Sequence, residues 1–209
     1  ITAVATYTDG HGSAESVTSS ATAAVANVND APTGSVTISG TATQGQTLTA
    51  SNNIADIDGL GAITYHWYRG GVDTGSTGTT YVLSESDVGA VITAVATYTD
   101  GHGASESVTS SATAAVANVN DAPTGAVTIS GTATQGQTLT ASNNIADIDG
   151  LGTITYHWYR GGVDTGSTGT TYVLSESDVG AVITAVATYT DGHGASESVT
   201  SSATAAVAN

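Results

Sequence analysis

The chain repeats itself. The string ITAVATYTDGHG begins at Ile1, Ile92 and Ile183, which sets a period of 91 residues in a chain of 209. Residues 28–118 and 119–209 differ at only two positions, Ser35 against Ala126 and Ala62 against Thr153. Segment 1–27 departs from its later copies only by an order swap, Ser13-Ala14 against Ala104-Ser105 and Ala195-Ser196. A solenoid unit runs to about 20–50 residues, because each unit leans on its neighbours for a core. A unit of 91 residues has the size of a small domain that closes a core of its own. The expected organisation is beads on a string: two whole modules, 28–118 and 119–209, preceded by the last hairpin of another, 1–27. A chain that opens in mid-module is expected to continue upstream in its parent protein.

Within one period the apolar residues alternate and turn residues punctuate them. The pattern predicts strand A over Ser35–Ser39, B over Thr47–Ala50 and C over Ile63–Tyr68. It continues with a short C′ about Val72, E over Thr80–Leu83, F over Val91–Thr97 and a long G over Glu106–Val116. Ser84 and Asp87 have the spacing of a capping box for one helical turn. Asp100-Gly101-His102-Gly103 carries the Asp-Gly signal of a tight hairpin. Period-two alternation puts Ile63, Tyr65 and Trp67 on one face of strand C, with His66 and Tyr68 on the other. Seven short strands with turns every 8–12 residues or so predict an all-β chain of tandem two-sheet sandwiches. A tryptophan on the third strand and a turn just ahead of strand F fit an immunoglobulin-like sandwich. The chain has no cysteine, so no disulfide joins the sheets. Segment 1–27 matches the F–G hairpin alone. A lone hairpin is marginal in water, so this one is expected to be disordered or packed on another surface.

Charge narrows the function. The formal net charge is −16, and Arg69 and Arg160 are the only Lys or Arg residues. Nucleic acid and anionic membrane surfaces need the opposite sign. No run of about 18 apolar residues is present for membrane insertion. Such a chain suits divalent cations instead.

The acidic residues cluster in loops. In an immunoglobulin-like topology the B–C and F–G loops lie at the end where strand A begins. Asn29 and Asp30 precede strand A, Asp56 and Asp58 lie in B–C, and Asp100 lies in F–G. The second copy offers Asn120, Asp121, Asp147, Asp149 and Asp191. Calcium takes 6–8 or so oxygens, several from carboxylates on irregular backbone. Asp-Gly and Asn-Asp are also ordinary turn formers, and it is the convergence of three loops that points to calcium at the module junction. Glu85 and Asp87 lie at the opposite end. They are expected to cap the E–F corner, with a reach over the junction as the alternative.

Other chemistry has little to stand on. His11, His102 and His193 sit between glycines in a turn, with no G-x-S-x-G motif nearby. They are expected to be solvated turn residues, and the chain is expected not to be an enzyme. His66 and His102 would make a poor zinc pair, one on a strand and one on a distant loop. Tyr65 and Trp67 are expected to pack in the core rather than to stack on sugars.

The ordered set VNDAPTG, ADIDGLG, TYHWYRGG, SESDVG and YTDGHG resembles the tandem immunoglobulin-like, cadherin-like repeats of giant bacterial adhesins. The resemblance covers the whole chain. It implies an extracellular, cell-surface spacer, often calcium-binding and often exported by type I secretion. Its partners would be neighbouring modules of the same chain. The alternatives are a subunit that self-assembles into an extracellular fibre or sheath, and modules that themselves bind a glycan or protein ligand.

Overall fold

The computed structural model describes residues 1–209. Its regular structure is strand throughout, apart from two single 3-10 turns. A first hairpin pairs β1 (Val4–Thr8) with β2 (Ala14–Thr18). The next repeat supplies β3 (Val36–Ser39), β4 (Thr47–Asn52), β5 (Thr64–Arg69) and β6 (Val72–Thr77), then β7 (Thr80–Val82), β8 (Ile92–Thr99) and β9 (Ser105–Thr109). The last repeat supplies β10 (Val127–Ser130), β11 (Thr138–Asn143), β12 (Thr155–Arg160) and β13 (Val163–Thr168), then β14 (Thr171–Val173), β15 (Ile183–Thr190) and β16 (Ser196–Thr200). In each repeat a three-stranded sheet faces a four-stranded one, in the orders β3-β4-β7 and β6-β5-β8-β9, then β10-β11-β14 and β13-β12-β15-β16. All pairings within these sheets are antiparallel. Each repeat is thus a β-sandwich.

Each sandwich holds its own core of 12 buried residues, Val36 to Val116 in one and Val127 to Val207 in the other. The strict alternation of ITAVATYT turns Ile92, Ala94, Ala96 and Tyr98 inward along β8. Two alanines in that row leave room for one large partner. Trp67 takes it, with none of its surface exposed. Its ring stacks on Tyr81 at 5.5 Å, and its indole N–H donates to the Gly78 carbonyl at 3.0 Å. That bond removes the cost of burying the one polar atom of the side chain.

The E–F corner is built on a buried carboxylate. Asp87 is fully buried and accepts from the Ser84 N–H and hydroxyl, both at 2.8 Å. The Tyr81 hydroxyl donates to it at 2.8 Å, and Arg69 approaches to 3.4 Å. Burial alone would raise the Asp87 carboxyl. The Ser84 donors, the Tyr81 hydroxyl and the Arg69 charge outweigh that and hold it below the ordinary carboxylate range. The same network pushes the Tyr81 phenol up to about 12, through burial first and then its bond to Asp87. The expected capping box is present, and it leaves Glu85 free to point away from the corner.

Three local expectations need correction. Strand G does not run unbroken to Val116: β9 stops at Thr109. Beyond it, the pairing is shared between backbone and side chain: the Ser110 and Thr113 N–H groups donate to the Ala94 and Ile92 carbonyls at 2.9 Å, while their hydroxyls accept the Ala94 and Ile92 N–H groups at 3.0 Å. The chain then crosses over, and Val116 and Ala117 make parallel bridges to Val88 and Thr43. Serine and threonine compete with the backbone for its own hydrogen bonds, and here that breaks a strand in two. Strand β6 is longer than expected, six residues with a register shift opposite β5. The 1–27 hairpin is paired, yet every residue of both its strands is exposed. Its turn is closed locally, by an Asp9 carboxylate oxygen that accepts from the His11 and Ser13 N–H groups, both at 2.8 Å.

Candidate metal centre at the module junction

The B–C loop of the last repeat shapes itself with one aspartate and aims another. Asp147 accepts the Asp149 N–H at 3.0 Å through one oxygen and the Tyr189 hydroxyl through the other. Both of its oxygens are engaged. Burial and the Asp147 charge together push the Tyr189 phenol far up, so it stays a donor. Asp149 is 3% exposed. Its Oδ2 accepts the Asp121 N–H at 2.6 Å, while its Oδ1 is buried with no hydrogen-bond partner.

The F–G turn repeats this division of labour within one side chain. Asp191 Oδ1 accepts the N–H groups of His193 and Ala195, at 2.9 and 2.8 Å. Its Oδ2 is buried and unpartnered. A glycine locks the two loops together. Gly192 N–H donates to the Asp149 carbonyl at 3.0 Å, and a Cβ at position 192 would sit 2.6 Å from that oxygen. No other residue permits the approach, so the Asp-Gly pair does more than turn the chain.

The linker joins from the side of the preceding module. Gln44 binds it at two points: its Oε1 accepts the Val119 N–H at 3.0 Å, and its Nε2 donates to Asp121 Oδ2 at 2.8 Å. Asn120 turns outward to Glu197 at 2.7 Å. Asn118 Oδ1 is buried without a partner. From the preceding E–F corner, Glu85 Oε1 meets His193 Nε2 at 3.1 Å, and Glu85 Oε2 is again buried and unpartnered. Ligand atoms of Glu85, Asp149 and His193 lie within 4.8 Å of one another.

Of the residues singled out in the second copy, the structure joins the Asp149 and Asp191 loops through the Gly192 N–H and ties Asp121 to Asp149 by its backbone; the cluster of ligand atoms takes in Asp149 but not Asp191. Asp147 and Asn120 serve Tyr189 and Glu197 instead. The first copy repeats the same internal bonds. Asp30 N–H donates to Asp58, Asn29 to Glu106, and the Tyr98 hydroxyl to Asp56. Asp100 receives the N–H groups of His102 and Ala104. Burial would raise the Asp100 carboxyl, but those backbone donors hold it low. Sequence reasoning missed Gln44, Asn118 and His193, and set Glu85 aside as a corner cap. His193 is an exposed turn residue that also touches a carboxylate of the preceding module. The available signal was the shortness of the linker, which forces the E–F corner of one module against the F–G turn of the next.

Away from the junction, the outer face of each four-stranded sheet carries only a shallow groove. Thr155, Thr188, Thr190, Ser196 and Glu197 line it in the last repeat, with counterparts in the repeat before. No helix is long and apolar enough to cross a membrane.

No family model matches the chain. No curated protein matches it either. Among solved structures, one similar chain is described as a Ca2+-stabilized adhesin that helps an Antarctic bacterium reach out and bind ice. Identity is 20% and the TM-score 0.35, over 97% of this chain and 55% of that one. This chain therefore spans little more than half the length of that structure. At that level of likeness nothing about function follows from it.

Proposed function

We propose that this chain is a run of spacer modules from a long extracellular bacterial adhesin, non-enzymatic, and that a calcium ion closes and stiffens each junction between modules. The division into 28–118 and 119–209, each read as an immunoglobulin-like module, belongs to the same reading. One observation carries the metal. Glu85, Asn118 and Asp149 each bury a side-chain oxygen that has no hydrogen-bond partner, and so does Asp191, as Asp100 does at the same place in the repeat before. They come from the corner of one repeat, the linker, and two loops of the next. Buried polar atoms are nearly always paired, and a hard cation satisfies oxygens of this kind.

Electrostatics supports the same reading. The junction faces Glu85 and Asp149 with no Lys and no Arg among their partners. Two unit charges about 5 Å apart repel by an energy on the order of 3 kcal/mol at an effective dielectric constant of about 20. A divalent ion turns that repulsion into attraction between modules. An ion at about 100 times its dissociation constant adds about 2.7 kcal/mol to folding. The repeat pattern and the ordered motifs support a spacer over an adhesive tip. The loops are short, the modules nearly identical and the grooves shallow.

The test is small-angle scattering and thermal melting of the whole chain, first in millimolar calcium and then in chelator. The calcium form should be longer, narrower in its distance distribution and higher in Tm. Asp149→Asn should remove most of the difference, and Asp58→Asn, which loses the same bond within its own module, should leave it. Identical scattering and melting in calcium and chelator would sink the reading.

A further inference from the structure

Calcium accounts for the orphaned oxygens but gives no part to His193. That side chain is the odd member of the cluster, a nitrogen ligand among oxygens. Its ring Nε2 lies 3.1 Å from Glu85 Oε1, and one ligand atom each of Glu85, His193 and Asp149 lie within 4.8 Å of one another. Asp149 is 3% exposed with Oδ1 unpartnered, so the cluster contains a buried side chain still lacking a partner. The turn that carries the ring is held from below, since Asp191 Oδ1 accepts both His193 and Ala195 N–H groups.

We propose that the module junction is also a site for a divalent transition ion of the zinc class, bound by His193 Nε2, Glu85 and Asp149. The proposal rests on the junction being a cation site, as argued above, and adds a second class of ion to it. Ligand chemistry gives the reason. Calcium selects oxygen, whereas imidazole nitrogen suits zinc, nickel and copper. Geometry agrees. Zinc holds nitrogen and oxygen at about 2.0–2.1 Å in a tetrahedron, whose edge is then about 3.3 Å. The 3.1 Å separation of Nε2 and Oε1 is close to such an edge, so the pair needs almost no movement to share an ion. Only Asp149 has to close in, and a water fills the fourth position.

The site exists only where two modules meet. His102 occupies the same turn, with the same aspartate beneath it, but no glutamate stands opposite. Glu176, the counterpart of Glu85, is exposed. Zinc and calcium share Glu85 and Asp149, so the two ions compete for the junction. A cell-surface array built this way would respond to the balance of the two ions around it.

The experiment is a calorimetric titration of the whole chain with zinc alone, with calcium alone, and with each in the presence of the other. Cobalt(II) absorption reports nitrogen ligation directly. The parent should take one zinc per chain at the junction, and calcium should weaken it. His193→Gln should lower zinc affinity by at least about tenfold, the loss expected even for residues that only support a ligand. It should leave calcium affinity at the parent value, and His102→Gln should change neither. Melting in chelator, equal to the parent's, shows that each variant folds. Calcium binding without zinc binding would overturn this proposal and leave the calcium reading standing. Zinc binding that ignores His193, or that calcium does not weaken, would overturn it too. If neither ion binds, both readings fall together.

Discussion

The two whole repeats begin in the same way and end up in different surroundings. Before β3, Asp30 N–H donates to Asp58; before β10, Asp121 N–H donates to Asp149, each at 2.6 Å. The loop bonds that follow are the same in kind and length. Yet Asp58 is 9% exposed and Asp149 3%, and Asp149 Oδ1, unlike its counterpart, is buried without a partner. What differs is what stands opposite. Glu85 of the preceding E–F corner and Gln44 reach the second junction, whereas both strands of the hairpin ahead of the first are exposed throughout. On the proposed reading, each repeat supplies most of a cation site at its leading end and the repeat before it supplies the lid. A site divided between neighbours makes binding and alignment one event, which is what a stiff array of modules requires.

The largest expected effect tests the independence of the two sandwiches. Trp67 and Trp158 are fully buried in separate cores. Truncating either to Ala should cost its own module about 3–5 kcal/mol, a large share of the roughly 5–15 kcal/mol that holds a typical domain. Calorimetry of Trp67→Ala should resolve two transitions, one near the parent Tm and one far below it. Trp158→Ala should give the mirror result. A single transition moved as a whole would mean that the junction couples the modules into one cooperative unit, and the comparison of separate repeats would fail.

Next comes the corner that carries the lid. Asp87 and Asp178 sit in matching networks and are both held below the ordinary carboxylate range: burial opposes this, and Ser, Tyr and Arg donors prevail. A depressed carboxylate contributes stability that is whole above its unfolded pKa of about 3.9 and is lost as pH falls through the lower folded value. Both modules should therefore lose stability below about pH 4. Asp87→Ala and Asp178→Ala should each cost on the order of 1–3 kcal/mol by stranding buried donors, and should flatten that acid limb in melts followed against pH. Only Asp87→Ala should also shorten the calcium form in scattering, because only its corner faces a following module. Equal effects of the two variants on scattering would show that the corner does not position Glu85.

Much of the fold was legible in the sequence because its signals are local. Alternation in ITAVATYT and TYHWYR gave the inward rows of β8 and β5, and the Ser84–Asp87 spacing gave the corner. Strand G was misjudged because Ser110 and Thr113 look like ordinary strand residues until their hydroxyls are seen capturing β8 backbone. The site was legible by halves. Asp149 and Asp191 announce themselves through Asp-Gly turns. Asp147 stands two residues earlier in the same loop but spends both oxygens on Asp149 and Tyr189, a distinction that requires knowing where Tyr189 points. Gln44, Glu85 and His193 belong to the site only through the packing of one module on another. Only the shortness of the linker hints at that packing.

Gln44 gives the smallest effect and the sharpest contrast. Its amide accepts the Val119 N–H and donates to Asp121, so one side chain ties the linker to the module behind and to the strand start ahead. These bonds involve neutral groups on one side and lie partly in solvent. Each should be worth about 0.5–1.5 kcal/mol, too little to move either module's melting by much. What they fix is the path of the linker. Gln44→Ala should speed hydrogen exchange of the Val119 amide and broaden the scattering distance distribution in chelator. Added calcium should restore much of the narrow form, since Glu85, Asp149 and Asp191 remain. Gln135 occupies the same place in the last repeat, and Gln135→Ala should leave both measurements at the parent values. Were Gln44→Ala to leave Val119 exchange unchanged, the linker would be held by the acidic loops alone. The amide clamp would then play no part in aligning the modules before the ion arrives.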